Sequence, residues 1–152
     1  MAIVDNAGHF LAPATVKAVN EHDSALLPES LDKLTQTADR LDLDLSGSFL
    51  TLDPAFDNQE SRNNVERHNN MIPVIKPNVR NASPKTKKAM RAKFKVLEPI
   101  YKERYKVERE FAWKNTYRKL VIRYEKLQCT QLGFKNLAYA MINFRDVFDA
   151  YG

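Results

Sequence analysis

Apolar residues open the chain in two short runs, Ala2-Ile-Val4 and His9-Phe-Leu-Ala-Pro-Ala-Thr-Val16, parted by Asp5-Asn-Ala-Gly8. Asn, Asp and Gly tolerate the backbone of a tight reversal, so this pattern predicts a β-hairpin. Asp23 or Ser24 is placed to cap a following helix. Leu31, Leu34, Ala38 and Leu41 then recur at three- and four-residue steps, which predicts an amphipathic helix over 28–41, broken by Gly47. Ser48-Phe-Leu-Thr-Leu52 reads as a strand ending at Asp53, and Pro54 limits its continuation. Asp57-Asn58 can start a helix over 59–68. Met71-Ile-Pro-Val-Ile75 is strand-like, with Pro73 confining it to an edge or a bulge. The order strand, strand, helix, strand, helix, strand is an α/β pattern.

The second half reads as helical. Ser83-Pro84 combines a capping serine with a proline in the first turn. A long helix is expected over 98–127, with a break near Asn115; its apolar positions are Tyr101, Tyr105, Phe111, Tyr117, Leu120, Val121, Tyr124 and Leu127. After Gly133, the spacing of Phe134, Leu137, Ala138, Met141 and Phe148 predicts a final amphipathic helix. Helical spacing on one face is what packing requires, so these aromatic residues, Trp113 included, are expected in the core rather than as base-stacking platforms.

At 152 residues the chain is the size of one domain. One cysteine, Cys129, excludes a disulfide framework, and with three scattered histidines it gives no zinc-ligand spacing. No apolar run has the length of a membrane span and Met1-Ala-Ile-Val-Asp5 lacks the features of a secretory signal, so the expected location is cytoplasmic, with the nucleoid as the site when bound to DNA. The net charge of +5 conceals a division. Residues 1–75 carry 5 Lys and Arg against 12 Asp and Glu, whereas residues 76–152 carry 19 against 7, so the halves stand at −7 and +12. The expected organisation is one domain, 1–152, with an acidic hairpin, strand and helix part (1–75) and a basic helical part (76–152). Within 76–97 lie eight cations and no acid: Lys76, Arg80, Lys85, Lys87, Lys88, Arg91, Lys93 and Lys95. An acid-free run of this kind attracts a phosphate backbone by releasing its condensed counterions. Solvated helix surfaces, or two faces that attract each other, are the plainer alternatives.

Steps of three and four place Tyr101, Arg104 and Glu108 on one face of a helix, continued by Phe111 and Asn115. A glutamate one turn from an arginine is usually a surface ion pair; set between Tyr and Phe, this one is expected to be partly buried, where a carboxylate must be paired or bind metal. Asp53 is the second singular acid, at the C-terminal end of a strand, where open α/β sheets place their sites. Two such carboxylates can share Mg²⁺, which prefers oxygen ligands. On spacing alone the pairing is weakly specific.

Tyr101-Lys-Glu-Arg104-Tyr-Lys-Val-Glu108, running on through Tyr117-Arg-Lys-Leu120, resembles the C-terminal motif of bacterial insertion-sequence transposases of the DDE class, in the branch numbered four and five. That motif is tyrosine, two residues, arginine, three residues, glutamate, six residues, lysine. The first three members match; the fourth position holds Asn115, with Lys114 one residue short. Leu52-Asp53-Pro-Ala-Phe-Asp57 resembles the segment around the family's second acid, and Asn20-Glu-His-Asp-Ser24 the short stretch that precedes it. The resemblance covers roughly 1–148.

It implies an α/β, ribonuclease-H-like mixed sheet with flanking helices and a helical C-terminal half, cutting and joining DNA with Mg²⁺ (or Mn²⁺) held by Asp, Asp and Glu. Carried over, Asp53 is the second acid and Glu108 the third, and both are metal ligands. Tyr101 and Arg104 support Glu108 and contact the transposon end. Lys76, Arg80, Lys85, Lys87, Lys88, Arg91, Arg109 and Arg118 track the DNA backbone. In the family the first aspartate lies on a central strand preceding the hairpin. Asp5 is the only early candidate for it, in a turn that favours Asp for its own reasons. The expectation is therefore a transposase fragment without the first, central strand and its acid, inactive alone, completed by an N-terminal part from an upstream frame, and homo-oligomeric when complete. The alternative is a basic DNA-binding module or transposase remnant without catalysis.

Overall fold

The computed structural model describes residues 1–15, 23–80, 82–116 and 127–151. The expected hairpin is present as an antiparallel bridge between Val4 and Phe10. Asp5 builds its turn: one carboxylate oxygen accepts the N–H groups of Ala7, Gly8 and His9, each at 2.8 Å, and the other meets His9 Nδ1 at 3.1 Å. Gly8 takes a φ of 103°, which only glycine adopts readily.

A 3₁₀ turn, Asp23–Leu26, leads into α1 (Leu27–Arg40). Leu27, Leu31, Leu34 and Ala38 form its buried stripe. The helix stops well before Gly47. Asp42, at φ 53°, takes the left-handed position, and Leu43 N–H reaches back to the Ala38 carbonyl at 2.9 Å.

β1 (Phe49–Leu52) and β2 (Ile72–Ile75) form a two-stranded parallel sheet, Leu50 opposite Pro73 and Leu52 opposite Ile75. Asp53 ends β1 by accepting Ala55 N–H at 3.0 Å, capping the 3₁₀ turn Pro54–Phe56. Asn58 caps α2 (Gln59–Arg67) by accepting Ser61 N–H at 2.7 Å. Ile3, Ala12, the α1 leucines, Leu52, Phe56, Val65, Met71 and Ile75 share one core. Each fully buried leucine or valine here contributes about 1.5–3 kcal/mol of transfer free energy.

Ser83 caps α3 (Pro84–Phe94), the basic helix, which buries none of its residues. The single long helix expected over 98–127 is instead α4 (Glu98–Lys102) and α5 (Tyr105–Thr116), and α5 continues through Asn115. The break falls at Glu103–Arg104, where N–H groups bond three residues back: Arg104 to Tyr101 at 3.1 Å, Lys106 to Glu103 at 3.0 Å and Val107 to Arg104 at 3.0 Å. No glycine or proline marks it. Tyr117, Leu120, Val121 and Tyr124 lie outside the described residues.

The last helix, α6 (Gln128–Tyr151), starts before Gly133 and runs through it. Of its expected apolar stripe only Ala138 is buried. Leu137, Met141 and Phe148 are exposed, Phe148 at 71%, while Ala138, Tyr139 and Ile142 are buried. The reason is polar. Asn143 donates to the Phe10 carbonyl at 2.9 Å and accepts Phe10 N–H at 2.8 Å, and Asn136 accepts Ala14 N–H at 3.0 Å. With Tyr139 stacked on Phe10 at 3.7 Å, residues 136, 139 and 143 make the stripe that seals the hairpin's outer edge. Burial pushes the Tyr139 phenol up to about 12. Among the described residues no helix is long and apolar enough to cross a membrane.

Asn143→Ala should cost about 1–3 kcal/mol in denaturant unfolding, since two backbone groups lose their partner; Met141→Ala, at an exposed site, should stay within about 0.5 kcal/mol. Burial raises the Asp5 pKa, but hydrogen bonds from His9 and Ala7 outweigh it and hold the carboxyl below its ordinary 3.8. Asp5 therefore contributes stability that is present above about pH 4 and lost as pH falls through the lowered value. Acid unfolding of Asp5→Asn, compared with the parent chain, should lack that part of the decline.

Candidate functional site

Asp53 reaches its position by simple means. β1 carries it to the C-terminal end of the sheet, Pro54 turns the chain away, and the extended backbone at Asp53 (φ −63°, ψ 151°) directs the carboxylate past the strand end. Its second oxygen meets Arg104 Nη2 at 3.2 Å, with the side chains 48% and 28% exposed. Arg104 comes from the break between α4 and α5. Its guanidinium carbon also lies 6.0 Å from the centre of the Tyr101 ring. Tyr101 meets Phe94 edge-on at 5.3 Å, which ties the end of α3 to α4.

Arg104 borders three cavities, two of which hold the candidate acids. One, of about 320 Å³, is lined by residues 1–4, 49–53, Phe56, Val107 and Phe111. The other, of about 790 Å³, has Lys76, Arg91, Lys95, Lys102 and Arg104 on its walls, with Tyr101, Tyr105 and the acids Glu98 and Glu108. Asp53 belongs to the first cavity and Glu108 to the second, so Arg104 stands at the boundary between the two candidate acids.

The helical break alters the expected face. Tyr101, Arg104 and Glu108 come from α4, the break and α5, not one continuous helix. All three still line one cavity. Glu108 is exposed rather than partly buried.

Of the candidate phosphate contacts, Lys76 and Arg91 lie in the basic cavity. Arg80 precedes α3, and Lys85, Lys87 and Lys88 stand on its first turns; Arg80, Lys85 and Lys88 are exposed. Arg109 turns to the hairpin and donates to the Ala7 carbonyl at 3.2 Å, next to Lys106, which donates to Asn6 at 2.9 Å. Arg118 lies outside the described residues. Asp5 is occupied by its own turn.

Lys95, the last cation of the acid-free run, also lines the cavity, as does Lys102, which lies beyond that run and had no sequence signal of its own. Asp57 is a further residue of consequence. It takes Arg62 Nη2 at 2.6 Å on one oxygen and Asn78 N–H at 2.7 Å on the other, fixing the segment that carries Lys76 out of β2. The sequence marked it only as a helix start and as the end of the Leu52–Asp57 segment.

The donor set can be tested against a divalent ion. Carboxylate oxygens suit Mg²⁺. Yet one Asp53 oxygen faces Arg104 and the other accepts Ala55 N–H, and among the described residues no group of three His, Cys, Asp or Glu could hold a metal. As arranged, these residues do not fit a two-ion site.

A double-mutant cycle over Asp53→Asn and Arg104→Gln should give a coupling below about 1 kcal/mol that shrinks as salt rises, because both side chains meet water. A larger, salt-insensitive coupling would show a pair sealed from solvent.

The family described as transposase DDE domain matches residues 51–145, from the middle of β1 through most of α6. No curated protein and no solved structure gives a significant match. The matched stretch is more than half of the chain and holds Asp53, Tyr101, Arg104, Glu108 and the whole basic cavity. With its mixed α/β fold, an acid at a parallel strand end and a cationic cavity beside it, the chain belongs to the transposase DDE domain family.

Proposed function

We propose that residues 1–152 act in DNA transposition as the DNA-facing portion of a DDE catalytic domain built on a ribonuclease-H-like framework, and that they do not cut DNA alone. One observation carries this reading: Asp53, at the carboxyl end of a parallel strand, is a single ion pair away from a cavity walled by Lys76, Arg91, Lys95 and Lys102. An acid beside so many cations makes sense where phosphate has to be held close to a carboxylate.

In this reading Lys76, Arg80, Lys85, Lys87, Lys88 and Arg91 neutralise backbone phosphates of a transposon end, and Arg109 and Arg118 extend the track. Tyr101 and Arg104 sit nearest the scissile group. Arg104 exchanges Asp53 for a phosphate oxygen, since a guanidinium binds either partner through paired N–H donors. Asp53 and Glu108 supply two of the family's three carboxylates and the third comes from an N-terminal part; Mg²⁺ or Mn²⁺ belongs to that completed set. The complete enzyme is a homo-oligomer working on DNA in the cytoplasm. A remnant that binds DNA without catalysis is the second reading, favoured by the fact that Asp53 already has Arg104 as its counter-ion.

Fluorescence anisotropy on a duplex tests the reading. The chain should bind with little sequence preference, and log Kd should rise steeply with log salt; Lys76→Ala or Arg91→Ala should each reduce the slope by about 1. Affinity indifferent to salt would contradict the basic cavity as the DNA site. The chain alone with Mg²⁺ should nick no DNA above background, and efficient nicking would contradict its incompleteness.

A further inference from the structure

Asp57 is an acid where an acid should hinder DNA. It follows the 3₁₀ turn Pro54–Phe56 that Asp53 begins, close to the cavity that the proposed function gives to phosphate. A carboxylate near bound phosphate repels it unless its charge is met locally. Here it is met. Oδ1 takes Arg62 Nη2 at 2.6 Å, Oδ2 takes the backbone N–H of Asn78 at 2.7 Å, and the side chain is only 15% exposed. Asp57 is not among the residues that line the basic cavity, so its charge does not face the space assigned to DNA.

The bond to Asn78 falls in the middle of a cavity wall. Lys76, Pro77 and Val79 line the cavity, and Asn78 joins them along the chain. This stretch lies between the end of β2 and the start of α3, outside both. The Asn78 side chain accepts Arg80 N–H at 3.3 Å, so the residue that Asp57 holds also shapes the approach to Arg80. Asp57 is itself well fixed. Its N–H reaches the Pro54 carbonyl at 3.2 Å, and the next residue, Asn58, caps the helix that carries Arg62. At the other end of the same turn, Asp53 meets Arg104, which lines the cavity too. Two acids four residues apart thus tie two stretches of the cavity wall to one short turn.

We propose that Asp57 is a positioning residue for DNA binding: backed by Arg62, it holds residues 76–80 in the path that presents Lys76 to a phosphate, so that a negative charge tightens the complex. The proposal rests on the DNA reading of the basic cavity. A wall already ordered in the free chain loses less conformational entropy when the ligand arrives. Electrostatics alone predicts the reverse, because removing an acid from a DNA-binding chain favours phosphate. The sign of the effect separates the two.

Fluorescence anisotropy of the full chain on a duplex reads that sign. Asp57→Asn offers one oxygen to two donors, so Arg62 or Asn78 loses its partner. Its Kd should rise at least about fivefold, and the slope of log Kd against log salt should fall by about 1, as for Lys76→Ala. Asp57→Glu keeps the charge but displaces the carboxylate, and should weaken binding in the same direction. Glu60→Gln makes the same change of charge at an exposed site on α2 and should leave Kd equal or lower. With Lys76→Ala already in place, Asp57→Asn should raise Kd less than about twofold, because the side chain it presents is gone. Without DNA, exchange of the Asn78 amide should quicken in Asp57→Asn while Leu52 and Val65 stay unchanged. Binding by folded Asp57→Asn as tight as the parent's, or tighter, would overturn the proposal; where that variant does not fold, Asp57→Glu at parental affinity would do so. A parent chain that does not bind the duplex overturns the DNA reading as well, whereas a binding parent indifferent to Asp57 overturns this proposal alone.

Discussion

A strand edge whose amides and carbonyls lack partners is costly once water is excluded, and that constraint organises this protein. The parallel pairing of β1 with β2 satisfies one edge of each. Asparagine side chains from α6 satisfy the hairpin's outer edge, a task that a side-chain carboxamide performs because it carries both a donor and an acceptor. The remaining edges face a common cavity, and the candidate acid lies at the end of one of them.

Arg104 connects that place to the basic half. It leaves helical register between α4 and α5, pairs with Asp53 and stands beside Tyr101, on the boundary of a cavity lined with lysine and arginine. An exposed pair of this kind adds little to stability. Its consequence in the proposed function is electrostatic: Arg104 serves Asp53 as counter-ion in the free chain and would exchange it for a phosphate when DNA binds.

Most elements of the acidic half were legible in the sequence because local chemistry writes their ends: Asp5 and Gly8 in the turn, Pro54 after β1, Asn58 at the cap of α2, Pro73 on an edge. The helical half was harder. The break at Glu103–Arg104 has no local breaker, and its arginine answers to Asp53, fifty-one positions earlier. The face of α6 that packs is set by Asn136 and Asn143, polar residues that a search for apolar periodicity passes over. The spacing that suggested Tyr101, Arg104 and Glu108 did bring them to one cavity, though not along one helix and not in a buried setting.

The proposed function places nucleic acid along the basic cavity next to Asp53. Titrating a short duplex into isotopically labelled chain and following amide shifts tests it most directly. The largest shifts are expected at Lys76, Arg91, Lys95, Tyr101 and Arg104, with the acidic outer face of α1 silent. Shifts concentrated on the hairpin or α1, with the cavity unchanged, would contradict it.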